Sequence, residues 1–257
     1  MGRVIFIGAG PGSADLITVR GAQRLASADV VLADALTDPA LQSFAPQARW
    51  VDVGKRGFQA STAQARIDAW LVALARRHPV VVRLKGGDPS VFGRLEEELQ
   101  ALADAGIESE VVPGVTAALA AAAESKCPLT RRGRGRSVAL TTAMSQDHRL
   151  SGGRHADTEV FYMAGRQLGA LARRLRADGW AGDVPVRVVS RAGWPDAHGS
   201  QHTVASLAEA SVLHTGRPAV VTVGVGAEPV AAAGVRRAGH DPSGLAVRQP
   251  GVTPLPN

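Results

Sequence analysis

Apolar and polar residues along the first half of the chain fall into two alternating patterns. Short β-branched runs at 4–7, 30–32, 80–84 and 109–112 read as strands. Between them, apolar side chains recur at helical spacing. Val19, Ala22, Leu25 and Ala26 share one face over 18–27. Ile67, Leu71, Leu74 and Ala75 share one over 62–77, with Arg66, Arg76 and Arg77 pointing outward. A third helix is predicted over 91–105, ended by Gly106. Strands separated by helices in this way predict a largely parallel α/β sheet.

Pro113-Gly114 is the first strong break. An alanine-rich helix follows at 115–125, then strands at 137–141 and 160–163 and a helix over 167–178. Strands at 186–189 and 219–223, with an edge strand at 202–205, complete a second unit. The expected organisation is an N-terminal α/β domain over 1–114 and a C-terminal α/β domain over 115–228. A mobile or loosely packed tail is expected over 229–257, where Ala, Gly, Pro and Arg dominate without a period. Two lobes predict a small-molecule site in the cleft between them.

Composition narrows the classes. The chain has 257 residues, mean hydropathy +0.02, 45% apolar and 20% charged residues, enough for one large domain or two small ones and too apolar for wholesale disorder. A single cysteine, Cys127, excludes a disulfide framework and a Cys-rich metal centre. No apolar run approaches the ~20 residues that span a bilayer, and the first residues enter a strand directly rather than a signal segment. The expectation is a cytoplasmic protein without a membrane partner. The net charge of +6 favours anionic partners. All of the 29 basic residues except Lys55, Lys85 and Lys126 are arginine. That bias reflects either codon preference or bidentate clamps for carboxylates and phosphates, and composition alone does not choose.

Two glycine-rich loops carry candidate chemistry. Gly8-Ala9-Gly10-Pro11-Gly12-Ser13 follows the first strand, and Asp34 stands where the ribose-binding acid of a dinucleotide fold would be. Ser13, however, replaces the third glycine, and Pro11 removes a backbone N–H from the turn that would meet a pyrophosphate. Both argue against a dinucleotide. Lys85-Gly86-Gly87-Asp88-Pro89 lies beyond a buried strand, where α/β sheets bind ligands. Its adjacent glycines let backbone pass close to a flat ligand and Asp88 could accept from hydroxyls; the other reading is a tight turn.

Further segments follow in order. They are Val53-Gly54-Lys55-Arg56-Gly57, Val82-Arg83-Leu84 leading into the second loop, and Val91-Phe92-Gly93-Arg94 with Glu97-Glu98. Then come Glu110-Val111-Val112-Pro113-Gly114-Val115-Thr116, Pro128-Leu129-Thr130 with Arg132-Gly133, and Val160-Phe161-Tyr162-Met163. Together they resemble the tetrapyrrole methylase superfamily over roughly residues 3–226, most closely its S-adenosylmethionine-dependent uroporphyrinogen III C-methyltransferases. The resemblance implies two α/β domains of that type with the active site in the cleft between them, usually in a homodimer. It implies S-adenosylmethionine as methyl donor, leaving S-adenosylhomocysteine, and a polycarboxylate tetrapyrrole as acceptor. Two methyl transfers would convert uroporphyrinogen III to precorrin-2, toward sirohaem or cobalamin.

Residue by residue, the resemblance puts donor binding on Pro11, Gly86, Gly87, Asp88, Val91, Thr116, Ala117, Met163 and Ala192. It marks Asp34 as proton acceptor and Lys55 as proton donor, places Arg94 and Glu97 in the catalytic site, and calls for no metal. An arginine keeps its proton to a pKa above ~12, so Arg94 suits orienting substrate rather than acting as a base. Arg56, Arg94, Arg131 and Arg132 are candidate clamps for the acceptor's carboxylates.

Several positions depart from the family pattern. Ala33-Asp34-Ala35-Leu36 replaces Tyr-Asp-Arg-Leu, and Arg94-Leu95-Glu96-Glu97-Glu98 replaces Arg-Gly-Gly-Glu-Glu. Arg131 stands for a histidine, and Thr142-Ala143-Met144 for Thr-Gly-His. These changes fall toward the acceptor side. They leave open a methylase acting on another precorrin, on RNA or on protein, and a donor-binding regulatory paralogue with weak catalysis. Arg131-Arg132-Gly133-Arg134-Gly135-Arg136 has the look of a nucleic-acid segment, but no aromatic residue interleaves it. It reads better as a solvated or substrate-facing connector. His198 and His202 are four apart, yet Pro195 and Gly199 argue against a helix and so against a metal pair.

Overall fold

Strands and helices alternate through the first half of the chain and build one parallel sheet. The computed structural model describes residues 1–54, 64–143 and 154–230. The elements are β1 (Arg3–Gly8), α1 (Val19–Leu25), β2 (Val30–Ala33), β3 (Arg49–Asp52), α2 (Gln64–Ala75), β4 (Val80–Lys85), α3 (Leu95–Asp104) and β5 (Ser109–Val112). The strand order is β3-β2-β4-β1-β5, with every pairing parallel. In β1, Ile5 and Ile7 pack toward Leu25 of α1, whereas Val4 and Phe6 pack toward Ile67 and Leu71 of α2 and Leu102 of α3. Both faces are covered, which is why these strands read as unbroken apolar runs. Thr18 caps α1 by accepting the Gly21 N–H at 3.0 Å.

The second half forms a mixed sheet. Its elements are α4 (Ala117–Glu124), β6 (Val138–Thr142), β7 (Thr158–Tyr162), α5 (Leu168–Ala177), β8 (Pro185–Ser190), β9 (His198–Thr203), α6 (Ser211–His214) and β10 (Ala219–Gly224). The order is β6-β7-β10-β8-β9; β6 and β7 are parallel and the other pairs antiparallel. Leu168, Leu171, Ala172 and Leu175 of α5 bury one helical stripe against Val186, Val188 and Val221. The opposite face meets α4, through Ala118 and Ala121 against Val160, Val189 and Val220.

Three sequence expectations shift. The helix expected from 91 starts at Leu95, because Phe92 and Arg94 both have φ of 54°, which no right-handed helix accommodates. The edge strand expected at 202–205 runs over His198–Thr203, a polar stretch with no apolar alternation to reveal it. Strand β3 was not expected; it is a four-residue edge. Glu228 is anchored, since its carboxylate pairs with Arg134 at 2.6 Å and its carbonyl accepts from Arg131. The expected tail from 231 onward lies outside the described residues.

Three loops at the carboxyl edge of the parallel sheet touch backbone to backbone. A Cβ on Gly114 would lie 2.4 Å from the Gly87 oxygen and 2.7 Å from the Gly8 Cα. Gly10 and Gly87 also exchange backbone hydrogen bonds, at 2.7 and 3.3 Å. The amide of the first glycine-rich loop thus serves its neighbour, not a pyrophosphate. Gly114→Ala should lower stability by about 1–3 kcal/mol through overpacking, measurable as a drop in the urea midpoint.

In the second sheet His202 Nε2 bonds Ser200 Oγ at 2.7 Å, and Ser200 Oγ bonds His214 Nε2 at 2.8 Å. His214 Nδ1 reaches Ser190 Oγ at 3.0 Å, which also accepts from Arg217 Nε at 3.1 Å. Among the described residues no cluster of His, Cys, Asp or Glu could hold a metal. Burial, followed by the charges of His198, His202 and Arg217, lowers the His214 pKa to about 4. An unfolded chain protonates this ring near the ordinary 6.5. The folded state therefore gains stability above about pH 6.5 that is lost as pH falls toward 4. Urea midpoints compared at pH 7 and pH 5 should fall less in His214→Gln than in the unsubstituted chain.

Candidate active site

A cavity lies where the carboxyl edge of the parallel sheet meets the second sheet, with about 820 Å³ of empty space counting its open mouth. The loops after β1, β2 and β4 supply Pro11, Leu36, Gly86, Gly87, Asp88 and Val91, and the start of α4 adds Thr116 and Ala117. The second sheet supplies Tyr162, Met163 and Val189, then Arg191, Ala192 and Trp194, and Val220. All nine positions expected to hold a donor line this one cavity: Pro11, Gly86, Gly87, Asp88, Val91, Thr116, Ala117, Met163 and Ala192. Tyr162, Leu36, Arg191 and Trp194 were missed, because no helical or strand period marks a cavity wall.

Asp88 accepts the Ser90 N–H at 2.8 Å on one oxygen, closing its own loop, and the Gly114 N–H at 2.9 Å on the other, which ties that loop to the one after β5. The Tyr162 hydroxyl bonds Thr116 Oγ1 at 2.7 Å, and its ring meets Phe92 at 5.1 Å between centroids. Burial pushes the Tyr162 pKa up, which keeps the hydroxyl protonated. Met163 and Arg191 hold left-handed φ of 58° and 53° at the ends of β7 and β8. Strained non-glycine residues of this kind persist where surrounding structure forces them. The walls fit a nucleoside-sized ligand. Val91, Val189, Val220 and the alanines offer apolar faces, and two glycines keep one side free of side chains.

Beside the cavity runs a chain of alternating charge. The Asp34 carboxylate accepts from Arg83 at 2.6 Å, Arg83 Nε bonds Glu98 at 2.9 Å, and the other Glu98 oxygen meets Lys85 Nζ at 2.5 Å. Arg83, Lys85 and Glu98 are almost fully buried, whereas Asp34 is 31% exposed and faces a second hollow. Alternation along β4 puts Arg83 and Lys85 on the face that α3 covers, and α3 answers with Glu98. Burial opposes the Arg83 charge, but the carboxylates of Asp34 and Glu98 outweigh it and raise its pKa. Burial and the Arg83 charge lower that of Lys85 despite Glu98.

The remaining candidates are dispersed. Arg94 and Glu97 pair with each other at 2.6 Å, stand 57% and 48% exposed, and line a separate open hollow. Arg131 is engaged with the Glu228 carbonyl, and Arg132 is exposed. Lys55 and Arg56 lie outside the described residues.

Fold and site define a two-domain α/β protein with a nucleoside-sized cleft at the carboxyl ends of a parallel sheet. The family model described as Tetrapyrrole (Corrin/Porphyrin) Methylases matches residues 3–210. The chain is 43% identical to a uroporphyrinogen-III C-methyltransferase of Pseudomonas aeruginosa, over 74% of this chain and 80% of that one. It is 38% identical to one of Synechocystis, over 87% and 89%. A crystal structure of uroporphyrin-III C-methyl transferase from Thermus thermophilus, complexed with S-adenyl homocysteine, aligns with a TM-score of 0.77 at 36% identity, over 88% and 98% of the two chains. The chain belongs to the tetrapyrrole methylase family. No helix of the described residues is long and apolar enough to cross a membrane.

Removing Glu98 leaves two buried cations without their shared counter-ion. Glu98→Ala should cost about 3–5 kcal/mol, whereas Glu97→Ala, one residue away in an exposed pair, should cost no more than about 1 kcal/mol. Urea denaturation of the two variants checks the contrast.

Proposed function

We propose that this chain is an S-adenosylmethionine-dependent C-methyltransferase that converts uroporphyrinogen III to precorrin-2 by two methyl transfers, in sirohaem and cobalamin biosynthesis. The observation that carries the reading is the convergence of nine donor positions, from separate segments of the chain, on one cavity. The donor supplies an activated methyl group, whose in-line transfer needs positioning and exclusion of water. Val91 and Met163 pack the nucleoside, the Gly86-Gly87 backbone lies against it, and the Thr116 and Tyr162 hydroxyls offer polar contacts. Domains 1–114 and 115–228 bound the ligand on its two sides.

Asp34 takes the proton that the methylated ring system must lose, and the Arg83 guanidinium fixes its orientation. Lys55 is the proposed proton donor. Arg56, Arg94, Arg131 and Arg132 are proposed contacts for the acceptor's carboxylates, with Glu97 holding Arg94 in place until substrate arrives. We also read the chain as a cytoplasmic homodimer.

The test is turnover with S-adenosylmethionine and enzymatically generated uroporphyrinogen III, read as S-adenosylhomocysteine release and as the absorption of doubly methylated product. Donor binding without transfer would point to another acceptor. Asp34→Ala should lower turnover about 10²–10⁴-fold while leaving donor affinity within about three-fold, since Asp34 lies outside the donor cavity. Undiminished turnover would remove Asp34 from the mechanism.

A further inference from the structure

Trp194 borders two hollows that a methyl transfer has to connect. It lines the donor cavity beside Pro11 and Leu36, and it lines the adjoining hollow that holds Asp34. That second hollow also carries Trp50, Asp38 and Asp52. Its walls therefore combine two indoles with three carboxylates.

The indole is held firmly. The backbone that carries it is also pinned: the Trp194 backbone N–H donates to the Arg191 carbonyl at 3.0 Å, and the Trp194 carbonyl accepts the Ala197 N–H at 3.0 Å. The Arg191 guanidinium lies over the ring, 4.5 Å from its centroid. Asp196 is gripped by Arg191 at 2.7 Å and by Arg217 at 3.1 Å, which closes the turn. The Gly193 carbonyl accepts the Ser13 N–H at 2.6 Å, pinning the turn to the opposite domain. The ring edge rests against Gly12, where an added Cβ would stand 2.8 Å from Trp194 Cδ1.

The chemistry of the acceptor suits such a wall. When a carbon of a neutral pyrrole ring forms its bond to the methyl group, the carbon–sulfur bond breaks and its electron pair stays on sulfur. The ring gains one positive charge and keeps it until a proton leaves to a base. Carboxylates and the π-faces of indoles both stabilise a positive charge that develops beside them. We propose that Trp194 is a specificity-determining residue for the acceptor: its indole packs on the pyrrole ring under attack and holds it between the donor cavity and Asp34. This inference rests on the function proposed above.

The experiment compares the unsubstituted chain with Trp194→Phe and Trp194→Ala. It measures the KM for uroporphyrinogen III, the ratio of singly to doubly methylated product, and S-adenosylhomocysteine affinity by calorimetry. Trp194→Ala should raise the acceptor KM at least about ten-fold, enrich singly methylated product, and weaken donor-product affinity by a clearly smaller factor than it raises the acceptor KM. Trp194→Phe, which keeps an aromatic face, should restore most of the acceptor KM and the product ratio. An unchanged KM and product ratio in Trp194→Ala overturns the inference, with the functional reading intact. Equal losses of donor and acceptor affinity also overturn it, making Trp194 a wall of the donor cavity alone. An unsubstituted chain that binds S-adenosylhomocysteine but methylates no uroporphyrinogen III overturns the functional reading and this inference with it.

Discussion

A cation inside a parallel sheet has to be answered from within the protein, and Arg83 is such a cation. It sits on β4 between fully buried apolar neighbours, and water cannot reach it. Glu98 of α3 supplies the answer, shares its second oxygen with Lys85, and leaves Arg83 a free arm for Asp34 at the end of β2. The register of α3 on the sheet is thereby fixed, because sliding the helix would leave two charges unpaired. The loop between β4 and α3 is then held at both ends, by Asp88 gripping Gly114 and by Glu98 gripping the strand. That loop carries Val91 into the cavity. The shape of the cavity rests on Arg83, Glu98 and Lys85, none of which lines it.

The nine positions expected to hold a donor meet in one cavity because they belong to loops recognisable as motifs of a family, whereas the local chemistry of Gly86-Gly87-Asp88 alone left a tight turn equally open. The parallel sheet was legible because burial on both faces writes itself as apolar runs. Other features left weaker traces. Glu97 and Glu98 are adjacent, and only the helix's rotation decides which one faces β4; the sequence reading favoured the exposed Glu97. A usable signal existed, since Arg83 and Lys85 lie two apart in an apolar strand and so share a buried face. The edge strand expected at 202–205 runs over His198–Thr203 instead, because that polar stretch has no apolar alternation to fix its bounds and is defined by pairing with β8. The left-handed φ values at Phe92, Arg94, Met163 and Arg191 fall on residues that are not glycine, so residue type does not announce them.

Aromatic side chains are scarce in this chain, at 4% of residues, and that scarcity makes their placement informative. The single tyrosine lines the cavity, Phe92 packs against it, and two of the four tryptophans face the hollow at Asp34. The family positions altered around Asp34 are small here, Ala33 and Ala35, so the bulk beside the carboxylate comes from β3 and from the turn after β8 instead. A different set of walls surrounds a retained carboxylate.

Residues 113–116 lead from the last strand of the parallel sheet into α4, which packs on the other sheet. The passage between the halves is made by the same backbone that borders the cavity, with the Gly114 amide in the grip of Asp88. A ligand that fills the cleft touches both halves and works as a reversible staple between them. At a hundred times its Kd such a ligand adds about 2.7 kcal/mol to the folded state, a sizeable share of what keeps a protein of this size folded. Depletion of the small molecule would then shorten the survival of the polypeptide itself, by exposing an opened form to proteases before any change in its catalytic groups.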